Sequence, residues 1–227
     1  MQNLIKQEQF ELEVLERLNS KRFLDNLVFG GGTMLRLCYG LDRFSVDLDF
    51  WLCRKIDTRQ LFGRLKEYLS QFYFLTDSEN KFYTLLLELK SKNYPRRLKI
   101  EIRKEIRQDG IEKAIAYSPY SNVQVLLNVV SLKAMMSAKI QSFLDRKEIR
   151  DAFDIEFLLK KGISLPSEIK SLERLLKGIN NLTKKDYTVK LGSLLADQQR
   201  KYYIAENFKI LKMAINEKLG FKSERLG

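Results

Sequence analysis

A short segment near the N-terminus constrains the fold more than any other part of the sequence. The apolar run at 27–29 stops at three consecutive glycines, 30–32, and predicts a strand that ends in a tight turn. Thr33 is a residue type that caps helices, so a helix is expected over 34–39. The β-rich pattern of 46–52 predicts a second strand. The chain is therefore expected to run from strand to glycine turn, helix and strand.

The second predicted strand contains Asp47 and Asp49. Side chains of a strand alternate between faces, so both carboxylates point the same way, about 7 Å apart along the backbone rise. Carboxylates held this close repel each other unless a cation lies between them, and Mg²⁺ is a cation that bridges carboxylates to a triphosphate. An isolated Asp-x-Asp pattern more often faces solvent on an edge strand. The glycine turn and helix ahead of it favour a phosphate site instead, because backbone N–H groups at a helix start attract anions.

Residues 30–52, GGGTMLRLCYGLDRFSVDLDFWL, resemble the signature of the AbiEii-like nucleotidyltransferases. These are toxins of bacterial toxin–antitoxin and abortive-infection systems, within the polymerase-β-like superfamily. The resemblance extends over residues 28–159. It implies transfer of a nucleoside monophosphate from a nucleoside triphosphate (NTP), with pyrophosphate leaving, under two metal ions, Mg²⁺ or Mn²⁺.

A third carboxylate is expected from a later strand. In the run LKIEI, strand alternation places Lys99 and Glu101 on one face. The family usually has Asp or Glu at this position, so the resemblance favours Glu101 as a metal ligand that holds or deprotonates the attacking hydroxyl. Glu88 is the rival candidate for the third carboxylate. The alternative is that Glu101 is a half-exposed glutamate on a strand edge without a role in the site.

Residues 131–159 resemble the closing motif of the family, a lysine on one helix followed by an Arg and then an Arg-Asp pair. The matching positions are Lys139, Arg146, Arg150, Asp151 and Asp154. The resemblance implies that Lys139 neutralises triphosphate charge and that Asp151 or Asp154 orients it. The alternative is a pair of surface helices joined by ordinary salt bridges.

Further nucleotide contacts are expected around the glycine turn. The backbone at Gly31 and Gly32 can approach phosphates, and Thr33 begins the helix beside them. Arg36 lies one helical turn later, so it either faces the triphosphate or pairs with a nearby aspartate. Ser45 precedes the aspartates on the same strand face, where it contacts phosphate or fixes the aspartate.

The composition limits the chemistry and suggests the partner. The chain has no histidine, which excludes Ser-His-Asp, Cys-His and histidine-ligated metal sites. Its two cysteines lack metal-ligand spacing, and no apolar run approaches the length of a membrane span. We therefore expect a cytoplasmic protein without a membrane partner. The net charge of +12 attracts polyanions.

An RNA acceptor, such as a tRNA end, is the expected partner beside NTP, with an antitoxin protein as a further one. Residues 90–107 and 184–190 interleave Tyr with Lys and Arg, as an RNA surface does. Two alternatives stay open. In one, the acceptor is a protein side chain that receives AMP. In the other, the chain is a non-catalytic nucleic-acid-binding module.

The sequence predicts an α/β (α+β) class with a nucleotidyltransferase fold, in which helices flank a mixed sheet and a C-terminal helical bundle follows. The nucleotidyltransferase domain is expected over 1–162 and the helical domain over 163–227. Further strands are expected over 81–90, 97–103 and 124–130, with helices over 58–72, 131–143 and 150–160.

Overall fold

The computed structural model describes residues 2–223, and the side chains of 2–220, in two compact units. The first unit ends at Ser131 and the second begins at Leu132. Within the described range, no helix is both long and apolar enough to cross a membrane.

The first unit is a mixed seven-stranded sheet with helices. Its elements are α1 (Gln2–Ser20), a 3₁₀ turn (Phe23–Asn26), β1 (Leu27–Gly30), α2 (Gly31–Tyr39), β2 (Asp47–Leu52), α3 (Thr58–Ser70), β3 (Phe74–Asn80), β4 (Thr84–Lys90), β5 (Leu98–Ile106), β6 (Ile111–Ala116) and β7 (Val125–Val130). The strand order is β3-β4-β5-β2-β1-β7-β6. The β2–β5 and β1–β7 pairs are parallel and the other neighbours are antiparallel. The predicted class and mixed sheet are confirmed.

The apolar pattern explains why β1 and β2 lie at the centre of this sheet. Every residue of β1 is buried. In β2, Leu48 and Phe50 are buried, and the two aspartates that alternate with them are partly exposed. The rings of Phe29 and Phe50, which are cross-strand partners, lie 5.1 Å apart. One face of β2 therefore packs in the core, and the other presents its polar side chains.

The second unit is helical. Its elements are α4 (Leu132–Arg146), α5 (Ile149–Lys160), α6 (Ile169–Asn180), a π-helical segment (Asp186–Leu191), a 3₁₀ turn (Gly192–Leu194), α7 (Asp197–Glu206) and α8 (Lys209–Ser223). Phe143 and Phe208 are fully buried in it. The buried Glu156 carboxylate accepts hydrogen bonds from the Tyr203 hydroxyl at 2.9 Å and the Leu211 N–H at 3.2 Å. The predicted C-terminal helical bundle is confirmed.

Two strands and one helix start differ from the sequence prediction. Both β3 and β6, which were not predicted, are edge strands, and β3 exposes most of its residues. Their outer faces need no continuous apolar pattern. Thr33 does not cap α2, because the helix already begins at Gly31 with Gly30 as its N-cap.

The compact units divide earlier along the chain than the predicted boundary at 162. Helices α4 and α5 pack on each other, and they contact α6 and α8. They therefore group with the C-terminal helices in the second unit. The assignment of 1–162 and 163–227 to separate domains stays a prediction.

Gly30→Ala is expected to lower the free energy of unfolding by about 1–3 kcal/mol, because it overpacks a full core. A methyl group at Gly30 would lie 2.3 Å from Cζ3 of the buried Trp51 ring. Gly63→Ala is the control, since Gly63 lies within α3 with open space around it. That change is expected to raise the free energy of unfolding by up to about 1 kcal/mol. Urea denaturation measures both, and equal effects would contradict this account of the β1–β2 packing.

Candidate active site

Strand β2 presents the two aspartates on one face of the sheet, away from its edges. Asp47 and Asp49 alternate with Leu48 and Phe50, so their side chains share the face opposite the buried pair. Strand β2 lies between β5 and β1. The edge-strand alternative is therefore wrong.

The glycine turn lies directly against Asp49. Gly31 has a φ of +75°, and a methyl group added there would lie 2.3 Å from Oδ2 of Asp49. At Gly32 an added methyl group would lie 2.5 Å from Nη2 of Arg43 and 2.8 Å from Oγ of Ser45. These close approaches bring together four of the positions selected from the sequence: the two glycines, Asp49 and Ser45.

Thr33 holds the turn to the start of β2, and Arg43 bonds within the loop that precedes β2. The Thr33 side chain is fully buried, and its hydroxyl donates a hydrogen bond of 2.6 Å to the carbonyl oxygen of Asp47. The buried Arg43 donates from Nη1 to the carbonyl oxygen of Phe44 at 3.0 Å. The Thr33 hydroxyl thus fixes the strand that contains the aspartates.

Arg36 is held by α1 and by the loop after α2. Its guanidinium forms an ion pair with Glu8, donates to the carbonyl oxygen of Leu41 at 3.0 Å and stacks 3.9 Å from the ring centroid of Phe44. The partner is thus a glutamate of α1, a residue that the sequence analysis did not consider. A contact between Arg36 and the triphosphate stays a prediction.

The strand register places Glu101 beside Asp49. The two residues are Cα partners in the parallel β2–β5 pair, so they lie on the same face. The Glu101 carboxylate forms an ion pair of 3.5 Å with Lys99 and is about a quarter exposed. Its position fits the expected third carboxylate, although its role stays a prediction.

Glu88, the rival carboxylate, lies one strand further from the aspartates. Glu88 lies on β4, where it is the Cα partner of Lys99 on β5. The Thr76 hydroxyl and the Arg97 guanidinium, which lies at 2.8 Å, hold the pKa of the Glu88 carboxyl below its usual value. The geometry therefore favours Glu101.

The carboxylates fit a hard divalent cation in part. Asp47 and Asp49 offer two oxygen donors on one face, with the Gly31 backbone against the second, and Mg²⁺ or Mn²⁺ prefers such ligands. Among the residues that the structure describes, however, no three Cys, Asp or Glu side chains are gathered closely enough to hold a metal ion. The two aspartates supply the oxygen donors that such a cation prefers, and Glu101, which pairs with Lys99, stays a predicted third ligand.

A row of buried polar side chains on α1 was missed by the sequence analysis. Gln7 donates to the carbonyl oxygens of Val46 and Arg97, both at 3.3 Å, and Glu8 accepts from Arg36. Glu11 is fully buried, and neither of its carboxylate oxygens has a hydrogen-bond partner within the described part of the chain. The available signal was the spacing, since 7, 8 and 11 fall on the buried face of the same helix as Leu4 and Leu15.

Burial raises the pKa of the Glu11 carboxyl well above its usual value, and the negative charges of Glu8 and Asp47 raise it further. Arg36 and Arg96 act in the opposite direction. Charges on α1 thus act electrostatically on the same region as the β2 aspartates.

The predicted Lys139 cluster lies in the second unit. The Lys139 ammonium is buried between Asp151, at 3.2 Å, and Asp154, at 2.6 Å. Arg146 binds both oxygens of Asp151, at 2.8 and 3.0 Å. Lys139 thus pairs with both aspartates, and its contact with a nucleotide stays a prediction.

The fold agrees with the comparisons, which place the chain in the nucleotidyltransferase class. A family model described as the nucleotidyl transferase AbiEii toxin of type IV toxin–antitoxin systems matches residues 13–212. The chain belongs to this AbiEii family. The predicted family and enzyme class are confirmed.

Two solved structures from Helicobacter pylori are similar to the chain over nearly its whole length. The crystal structure of JHP933 shares 25% sequence identity, with a TM-score of 0.58 and 96% of each chain covered. The structure of a candidate nucleotidyltransferase shares 22% identity, also with a TM-score of 0.58, and covers 96% of this chain and 97% of its own. The second likeness shows the fold alone. No curated protein matches the sequence.

Glu11→Gln is expected to stabilise the protein at about pH 8 in the absence of divalent metal. A carboxyl whose pKa is raised by folding holds its proton more tightly in the folded chain, so stability falls as pH rises from the unfolded towards the folded pKa. Glutamine has a similar shape and no charge to lose. Melting temperatures measured in EDTA should therefore favour the variant at about pH 8 and converge near about pH 4.

The control is Glu16→Gln, because Glu16 is exposed on the same helix. It should leave the melting temperature almost unchanged across the same pH range. A wild-type protein more stable than Glu11→Gln at about pH 8 would show that the Glu11 charge is compensated in the folded chain.

Proposed function

We propose that this chain transfers a nucleoside monophosphate from an NTP to a hydroxyl of RNA, with a tRNA end as the first choice. Mg²⁺, or Mn²⁺ in its place, is held by Asp47 and Asp49, and Glu101 is the third ligand. The observation that supports the proposal is the close approach of the glycine turn to Asp49. Glu101 is the Cα partner of Asp49 on the neighbouring strand. A phosphate-binding turn and paired carboxylates thus meet at one point.

The NTP phosphates bind at the start of α2. Gly31 and Gly32 have no side chain, so their backbone can approach a phosphate, and the N-terminus of a nine-residue helix favours the negative charge. The Ser45 hydroxyl lies beside Gly32 and donates to the same phosphates. Thr33 and Arg36 are the further nucleotide contacts of this proposal, in addition to their hydrogen bonds to β2 and α1.

Lys139 is assigned the neutralisation of triphosphate charge. Asp151 and Asp154 keep its ammonium in one orientation. This assignment rests on the family resemblance of the motif and on the burial of the lysine.

The reaction forms one bond and breaks one bond at phosphorus. The acceptor hydroxyl oxygen bonds to the α-phosphorus, the bond from that phosphorus to the bridging oxygen breaks, and pyrophosphate leaves. Glu101 holds the attacking hydroxyl and takes its proton. A divalent cation bound to the aspartates supplies charge neutralisation and alignment. Positioning and electrostatic stabilisation then account for most of the rate.

Growth arrest would follow from modification of an essential RNA. The family consists of toxins of type IV toxin–antitoxin systems, so an antitoxin encoded by an adjacent gene is the expected partner, and abortive infection is the expected setting. Because the family is a nucleotidyl transferase family, the non-catalytic binding module has no support.

Asp49→Ala is expected to abolish both nucleotide transfer and growth arrest and to leave the protein folded. The loss of a metal ligand removes transition-state stabilisation, for a fall in rate of at least about 100-fold. Folding should survive because Asp49 is only partly buried and its strand is anchored in the core by Leu48 and Phe50. Transfer of labelled NTPs to total bacterial RNA and the melting temperature are measured on the same preparation.

Asp77→Ala is the matched control, because Asp77 is an exposed aspartate on edge strand β3, and it should retain wild-type transfer. Wild-type transfer by Asp49→Ala would overturn the metal assignment. A lowered melting temperature with an active folded fraction would make Asp49 a structural residue. Label in the protein fraction instead of the RNA fraction would replace the RNA acceptor with a protein hydroxyl.

A further inference from the structure

Two adjacent aromatic side chains are exposed at the turn between β3 and β4. Phe82 and Tyr83 are 82% and 76% exposed, and their rings meet edge to face with centroids 4.6 Å apart. Large aromatic side chains presented to solvent in this way are characteristic of binding surfaces. Neither residue is used by the proposed transfer site.

A cavity of about 630 Å³ connects this turn to Glu101. We name it the acceptor cavity, and its lining consists of Tyr83, Thr84, Glu101, Arg103, Lys104 and Glu105. This volume lies within the range of small-molecule sites, and a single nucleotide would fit. The only carboxylate of the proposed transfer site that lines it is Glu101.

The cations of the acceptor cavity are held in place by neighbouring residues. The Arg103 guanidinium lies 4.9 Å from the ring centroid of Trp51, and the Lys104 ammonium donates to the carbonyl oxygen of Lys81. A register shift between β2 and β5 follows the Trp51–Arg103 pair. Such irregularities redirect side chains at the ends of paired strands.

A second cavity, of about 500 Å³, shares Lys104 with the first. We name it the turn cavity, and its lining consists of Thr58, Arg59, Asn80, Lys81, Phe82 and Lys104. Each cavity thus combines one exposed aromatic ring with cations. Bases stack on such rings while the cations contact the phosphates, and this pattern is typical of single-stranded nucleic acid binding.

The sheet order separates the acceptor cavity from the glycine turn. The turn follows β1 on one side of β2, whereas the cavity is formed by β4 and β5 on the other side. A phosphate donor at the turn and a ligand in the cavity would therefore approach the aspartates from opposite sides. Nucleotidyl transfer needs the attacking oxygen roughly in line with the leaving pyrophosphate at the α-phosphorus, and separate positions for donor and acceptor are compatible with that geometry.

We infer that the acceptor cavity and the turn cavity bind the 3′ end of a single-stranded RNA. This inference rests on the proposed function. The terminal base stacks on Tyr83 and the preceding base on Phe82, while Arg103 and Lys104 contact the phosphates. The terminal 3′-hydroxyl then faces Glu101, which receives its proton when the oxygen bonds to the α-phosphorus of the NTP.

The test compares the double variant Phe82→Ala/Tyr83→Ala and the single variant Arg103→Gln with two controls. Phe74→Ala removes an exposed aromatic ring of β3, and Lys113→Gln removes an exposed cation of β6. Fluorescence anisotropy measures binding of a labelled single-stranded oligoribonucleotide to the full chain without NTP. Melting temperatures confirm that each variant is folded.

The double variant is expected to weaken oligoribonucleotide binding about tenfold or more, because each base loses its stacking partner. Arg103→Gln should reduce the slope of log K against log salt by about 0.7, the value for one phosphate contact on a single strand. In transfer assays both variants should raise KM for RNA and leave KM for NTP unchanged. The controls should resemble the wild type.

Wild-type oligoribonucleotide affinity in the double variant would overturn the inference, and so would a rise in KM for NTP alone. The failure of the proposed function looks different. In that case the wild type labels protein instead of RNA, and the anisotropy comparison still decides whether these cavities bind RNA.

Discussion

The contact between Gly31 and the Asp49 carboxylate is the constraint on which the site in the first unit depends. No residue with a Cβ fits at Gly31, because the methyl group would meet Oδ2 of Asp49 at 2.3 Å and the backbone there has a positive φ. The central position of β2 in the sheet fixes Asp49, the other residue of this contact. Leu48 and Phe50 anchor the strand in the core, and the aspartates are therefore held against the turn.

The elements within 27–52 could be predicted from the sequence, because they depend on residues that are neighbours along the chain. Strands β1 and β2, helix α2 and the shared face of the aspartates all follow from apolar runs, glycines and alternation within 27–52. Family resemblance added Glu101, and the strand register then placed it beside Asp49.

The contacts between residues far apart in the chain could not be predicted from the sequence. The ion pair of Arg36 with Glu8 joins residues of different helices, and no pattern within one sequence window indicates it. The edge strand β3, FLTDSEN, is polar and largely exposed, so it lacks the apolar signal of a strand. It forms because β4 offers an edge on which to pair. Thr33 resembled a cap by residue type, yet its hydroxyl binds Asp47.

Two buried carboxylates of α1, Glu8 and Glu11, lie in the electrostatic surroundings of the β2 aspartates. Glu8 is balanced by Arg36, whereas Glu11 has no hydrogen-bond partner among the described residues and a raised pKa. Burial disfavours the charged form of the Glu11 carboxyl. The negative charges of Glu8 and Asp47 in turn raise the pKa of the Glu11 carboxyl, so the helix and the strand are coupled electrostatically.

The most direct test is a crystal structure of the chain with Mn²⁺ and a non-hydrolysable NTP analogue. We predict an anomalous manganese peak within coordination distance of both the Asp47 and Asp49 carboxylates. The triphosphate should lie against the backbone of Gly31 and Gly32. Manganese bound elsewhere, or a triphosphate away from the glycine turn, would contradict the assignment of this face of β2 as the catalytic centre.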